Sequence, residues 1–127
     1  MNTVNYILAL LVLLQIKHWY IDFVDQSMEE VVSKGIYGDA AGINHSAKHA
    51  IGTFFAVLMV TGWPYIAWAG IISAIDFALH YHIDWAKINL NKKYNYTVKD
   101  TAFWIWLGFD QMLHQLTYLF IIWMVFA

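Results

Sequence analysis

The sequence predicts an all-α membrane protein, an up-down-up-down bundle of four transmembrane helices with a short amphipathic surface helix after the first. Three observations predict it. The chain is 61% hydrophobic and 13% charged, against roughly 45–50% and 25% in soluble domains. Apolar stretches that could cross a ~30 Å hydrocarbon layer, about 20 helical residues each, fall around 4–24, 45–62, 65–83 and 102–126. Potential ligands recur inside these stretches at helical spacing. Residues 1–127 form one domain, with helices expected over about 4–24, 44–61, 65–90 and 98–126.

The first stretch, NYILALLVLLQIKHWYIDFV, keeps its polar groups for its last two turns, and it lacks the basic start and A-x-A site of a signal peptide. A retained span is expected. Ser27-Met-Glu-Glu30 has the capping-box pattern, and Gly35 follows Lys34, so a surface helix is expected over 28–34. The glycine-rich GIYGDAAGIN, 35–44, reads as a connection. In a single helix through Pro64, His49 and His80 would lie about 46 Å apart at 1.5 Å per residue, on opposite sides of a bilayer. A reversal at Gly62-Trp63-Pro64 returns them to one level, which favours four spans over three. NLNKKYNYTVKD, 89–100, is a polar connection, and Thr97-x-x-Asp100 is a weak start signal for the last helix.

Charge and cysteine content exclude several functions. A net charge of −2 without arginine provides no basic field for nucleic acid. With no cysteine there are no disulfides, thiolate metal sites, iron–sulfur clusters or Cys nucleophiles. There is also no G-x-S-x-G elbow, phosphate-binding glycine loop or H-E-x-x-H. All seven lysines fall on one side in the four-span arrangement, which the positive-inside rule makes cytoplasmic, with both termini outside.

Each long helix carries two potential ligands at i and i+4: His18 and Asp22, His45 and His49, His80 and Asp84, Asp110 and His114. Residues four apart share a face. Alternating helix directions bring the four pairs to one level near the cytoplasmic end, as in bundles that build metal sites from inward His and carboxylate groups. Eight donors suffice for one or two divalent ions; a thiolate-free His/Asp set suits zinc first, with manganese or iron as alternatives. A single His near a membrane interface is ordinarily a hydrogen-bonded residue, and Trp19, Trp63, Trp68, Trp85 and Tyr20 suit interfacial belts or packing. Four pairs at one depth carry the metal reading. Asp76, one turn before His80, and Gln15, near His18, are candidates to orient imidazoles. Lys87, one turn beyond Asp84, could hold an anionic substrate, and Lys92, Lys93 and Lys99 could attract acidic headgroups, while simple orientation and snorkelling is the favoured reading of all four. His82 points about 200° away from His80, at 100° per residue, and is expected to be a bystander.

HWYIDFVDQ (18–26), Lys34, HSAKH (45–49), HYHIDWAK (80–87) and DQMLH (110–114) together resemble, in order and spacing, the bacterial and phage membrane proteins grouped as the domain of unknown function 3307 family. The resemblance covers nearly the whole chain. It implies a bacterial inner membrane or a phage-encoded protein in the host membrane, and adds Gln26, Lys34 and Gln111 to the polar set. The H-x-x-x-D pairs are more distantly similar to inner-membrane metal-dependent hydrolases and to zinc-dependent phospholipase C, which implies phosphoester hydrolysis.

The leading expectation is a membrane-embedded, metal-dependent hydrolase of a phosphoester or lipid-linked phosphate. Asp22, Asp84 and Asp110 would anchor metal, the histidines would complete the shell, and Lys87 or Lys34 would steady an anionic substrate. Asp84, Lys87 and Lys34 are thus the catalytic candidates, with Gln15, Gln26, Asp76 and Gln111 around them. Expected partners are the bilayer and an anionic lipid, not nucleic acid. The alternatives are an ion or proton transporter using the same groups, or a structural or regulatory membrane partner whose polar core only fixes helix packing.

Overall fold

The computed structural model describes residues 2–127, which fold as five α-helices and a short 3-10 turn without strands. Helix α1 (Thr3–Phe23) starts at Asn2, whose side chain accepts a hydrogen bond from the Asn5 N–H. Helix α2 (Met28–Ser33) is held by a complete capping box. Ser27 Oγ accepts from the Glu30 N–H, and the Glu30 carboxylate accepts from the Ser27 N–H. The sequence pattern at 27–30 therefore forms the expected structure.

Helix α3 (Ala40–Thr61) begins four residues before the expected start at 44. Asp39 caps it by accepting from the Ala41 N–H, and the glycine taken for a loop former lies inside the helix. A Cβ at Gly42 would stand 3.2 Å from the Ser33 carbonyl oxygen, so the missing side chain lets α2 lie close against α3. The chain then reverses at Gly62, φ +84, and Trp63–Tyr65 forms a 3-10 turn carrying Pro64.

Helix α4 (Ile66–Tyr94) continues a full turn past its expected end at 90. It stops in a Schellman arrangement: Asn95 is left-handed, its N–H bonds the Lys92 carbonyl, and the Tyr96 N–H bonds that of Asn91. Helix α5 (Thr101–Phe126) starts three residues later than expected. Asp100 holds its N-cap position but turns its carboxylate back to accept from the Thr97 N–H and hydroxyl, leaving the helix uncapped by a side chain.

The four long helices form a closed ring in which α1 packs on α3 and α5, and α4 packs on α3 and α5, with α2 against α3. Two of them, α1 and the continuous segment Trp63–Tyr94, are long and apolar enough to cross a membrane. One half of the interior is aliphatic and aromatic, built from Leu10, Leu14, Val57, Ile72, Tyr118 and Ile121, all completely buried. The other half is polar.

Candidate metal centre

Helical spacing determines which side chains enter the polar half. In α1 the buried residues are Leu10, Leu14, Lys17, His18, Ile21 and Asp22, one stripe at intervals of three and four. The ligand pairs on α3, α4 and α5 occupy the inward stripes of their helices, so all eight expected ligands are buried at one level.

Asp22, His45, His49 and His80 each offer a ligand atom within 4.8 Å of the others, and His80, Asp84 and His114 do the same. Asp22 Oδ1 lies 2.9 Å from His45 Nε2, 3.2 Å from His49 Nε2 and 3.9 Å from His80 Nε2. His45 and His80 bring their Nε2 atoms within 3.3 Å of each other. Two ligands on one Zn²⁺ at about 2.0–2.1 Å are about 3.3 Å apart in a tetrahedron and about 2.9 Å apart at a right angle. The observed spacings match a single coordination sphere with little adjustment. The Nε2···Nε2 contact needs one proton or one shared cation, because two bare lone pairs cannot face each other.

His45, His49 and His80 have buried Nδ1 atoms with no hydrogen-bond partner among the described residues. They therefore lack the outer hydrogen bond that commonly orients a ligating imidazole. Stacking supplies orientation instead: His80 is sandwiched between His49, with ring centroids 3.6 Å apart, and His114, at 4.1 Å.

Asp84 ties the second group together. Its Oδ2 is 3.4 Å from His80 Nε2 and its Oδ1 is 3.4 Å from His114 Nε2. Lys34 reaches in from the end of α2, 2.9 Å from Asp84 Oδ2 and 3.6 Å from Asp22 Oδ1. Lys87 Nζ is 3.0 Å from Asp110 Oδ2 and 3.7 Å from Asp84 Oδ1. The two groups share His80, so they do not amount to two independent sites. Ammonium groups flank Asp84 where a second cation would bind. Three carboxylates face two ammonium groups, leaving one net negative charge with neutral imidazoles. One divalent cation would turn this into one net positive charge, a suitable setting for an anion.

The remaining expected residues divide between the site and its surroundings. Asp110 lies outside both ligand groups, 3.5 Å from His114 Nε2. His18 stands beside them with both nitrogens engaged: Nδ1 is 2.8 Å from the Tyr118 hydroxyl and Nε2 is 2.9 Å from Gln111 Oε1. Gln111 also donates to Asp110, and Gln26 donates to the Asp22 carbonyl. His82 is exposed and bonds the Ala78 carbonyl.

Asp76 and Gln15 are not beside imidazoles. Gln15 bonds Gln115. Asp76 Oδ2 is 2.8 Å from Lys17 Nζ and accepts from Thr53 Oγ1 at 2.6 Å. Lys17 also donates to Thr53 and lies 4.8 Å from the Tyr118 ring centroid. The ion pair outcompetes an imidazole because burial of each charge demands an opposite one. In the sequence Lys17 counts only toward orientation, yet its place on the α1 stripe with Leu14, His18 and Ile21 marks it as inward-facing. Tyr118 was missed too, although it follows His114 by one turn.

Glu30 fastens α2 over the site, with Lys48 Nζ 2.8 Å and Asn44 Nδ2 3.1 Å from its Oε1. Burial works to raise the Glu30 carboxyl, but hydrogen bonds from Lys48 and the Ser27 N–H outweigh it and hold the group below its ordinary value.

The fold and centre together define an all-α protein with a buried His/Asp group able to hold a metal ion. No family model, curated protein or solved structure matches the chain.

Proposed function

We propose that this is an integral membrane protein of four spans, of the kind its sequence resembles, and that it hydrolyses a phosphoester or lipid-linked phosphate with the help of one bound divalent ion. The bilayer part rests on an inverted distribution of residues. Eight of the most polar side chains of the long helices, the ligand set, are buried. Meanwhile Leu8 and Val12 on α1, Phe55 and Met59 on α3, and Leu116 and Trp123 on α5 are exposed. In water this arrangement exposes too much apolar surface and buries too much charge; in lipid both preferences reverse. The lysine distribution then makes the end that holds the site cytoplasmic and leaves both termini outside.

The observation that carries the chemical reading is the approach of Asp22, His45, His49 and His80 within 4.8 Å of one another. These four residues would hold the ion, zinc being best suited to the donors and their spacing. Such an ion activates water near neutral pH and draws charge from a phosphoryl oxygen. Lys34 and Lys87 neutralise the Asp84 and Asp110 carboxylates and present N–H groups to an anion, assisting charge development without a second ion. Asp84 positions both ammonium groups, and His114 lies between Asp84 and Asp110 to hold or release a proton.

Purified protein in bilayer discs is tested on a panel of phospholipids and polyprenyl phosphates, and hydrolysis should fall at least about a hundredfold on His49→Ala. Undiminished turnover by that variant would refute the reading.

One observation favours a proton-coupled transporter instead: the Lys17–Asp76–Thr53 group lies deeper in the bundle, and Asp76 Oδ1 is buried with no hydrogen-bond partner among the described residues. Proton flux into liposomes that disappears on Asp76→Asn, with no hydrolysis of any substrate, would replace the first reading with this one.

A further inference from the structure

Between α4 and α5 runs an apolar groove of about 280 Å³ that passes the polar centre at Lys87 and Asp110. Leu79, Ile83 and Leu90 line it from α4, and Trp106, Phe109 and Leu113 from α5. Leu79, Ala86 and Phe109 are exposed, so the groove opens sideways, away from the bundle axis. Lys87 and Asp110, both of the centre, bring charge into its wall, and the exposed imidazole of His82 also lines it.

We propose that this groove binds the hydrocarbon chain of a single-chain lipid phosphate, with the phosphate on Lys87. The proposal rests on the bundle lying in a bilayer and deepens the hydrolase reading by naming its substrate class. Charge complementarity is the first support. Among the described residues the Lys87 ammonium makes one hydrogen bond, to Asp110, and a longer ion pair at 3.7 Å with Asp84, which leaves N–H capacity for a phosphate oxygen. Direction is the second. From Lys87 back to Leu79 the longer arm of the groove follows α4 for about 12 Å at 1.5 Å per residue, away from the polar end and toward the middle of the bundle, while the shorter arm reaches only to Leu90. A lipid phosphate in a bilayer has this orientation, headgroup at the boundary and chain inward. The third support is position: a phosphate on Lys87 is adjacent to Asp110 and Asp84, and through them to His114. An ester bond would thereby reach the Asp84–His114 side of the centre from the side, without the chain leaving lipid.

The test uses the full chain in phosphatidylcholine discs with tetradecyl phosphate bearing a terminal diazirine, and tetradecyl alcohol with the same label as control. After irradiation, cross-links are mapped to peptides. Phosphate-probe labelling should concentrate at least fivefold on the groove peptides of α4 and α5 relative to the outward faces of α1 and α3, and the alcohol should show no such preference. Ala86→Trp, which fills the groove from its exposed rim, should remove the preference, as should Lys87→Ala. Even labelling of all four helices by the phosphate probe in the wild type would overturn the proposal without reliance on any variant, as would equal preference by the alcohol. The same samples are assayed for metal. Metal-free protein that still labels the groove would count against the hydrolase reading alone, whereas metal-loaded protein that labels evenly would count against the groove alone.

Discussion

The two halves of the bundle interior are built on opposite principles. At one end Leu10, Leu14, Val57, Ile72 and Ile121 pack without any polar atom to satisfy. At the other, five imidazoles, three carboxylates and the Lys34 ammonium are buried together, with the part-buried Lys87 at their edge. The apolar end gains stability from shape alone. The polar end must neutralise every charge it contains, and one removed group strands its partners. Between them lie the Lys17–Asp76 pair and Tyr118, the latter belonging to both regions through its ring in the apolar core and its hydroxyl on His18. A chain that needed only a stable bundle could continue the aliphatic packing, and the polar end is the part to which the proposed function is assigned.

This contrast can be broken by substitution. The largest loss of stability is expected for Asp84→Ala, which leaves Lys34 without its nearest carboxylate and removes a partner of Lys87, His80 and His114. About 3–5 kcal/mol should disappear, measured by unfolding in mixed detergent micelles. Leu14→Ala, at the apolar end, should cost about 2 kcal/mol, near the low end of the soluble range if, as proposed, lipid rather than water is the competing environment. It should also leave metal content unchanged. If the two variants cost the same, the distinction between the halves is wrong.

Gly52 tests the boundary. A Cβ there would meet Lys17 Cγ at 2.5 Å, so Gly52→Ala must push the Lys17 stem away from α3. A loss of about 1–3 kcal/mol is expected, and it should largely vanish when Lys17 and Asp76 are replaced together by Met and Leu.

The smallest effect concerns α2 and pH. Because the folded Glu30 carboxyl lies below its ordinary value of 4.5, its contribution is fully present above that value and fades as pH falls through the lower folded one. Amide exchange in α2 should accordingly accelerate on acidification below 4.5, relative to the rest of the chain. Glu30→Gln should make α2 exchange fast already at neutral pH and flatten the dependence.

Much of the helical plan was legible because long apolar stretches and strong punctuation agree. The reversal at Gly62-Trp63-Pro64 and the capping box at Ser27 are both local, and both form. Boundaries failed where a residue's role depended on a distant neighbour. Gly42 reads as loop until α2 lies against it, and Asp100 reads as a cap until Thr97 captures its carboxylate. In the centre, i,i+4 spacing selected the residues that converge, since the inward face of a helix is a local property. Their division into ligands and supports was not local. His18 is held by Tyr118 and Gln111 from another helix, Asp76 is taken by Lys17, and His80 alone joins both ligand groups. Only packing across helices could assign those roles.

Metal quantification on protein purified in mild detergent without added chelator, wild type beside a His45→Ala/His49→Ala double variant, tests the central claim most directly. One tightly held divalent ion, zinc foremost, is expected per wild-type chain, and none in the folded double variant. Wild-type protein that is folded yet metal-free, and that takes up no ion on dialysis against zinc, manganese or iron(II), would contradict it.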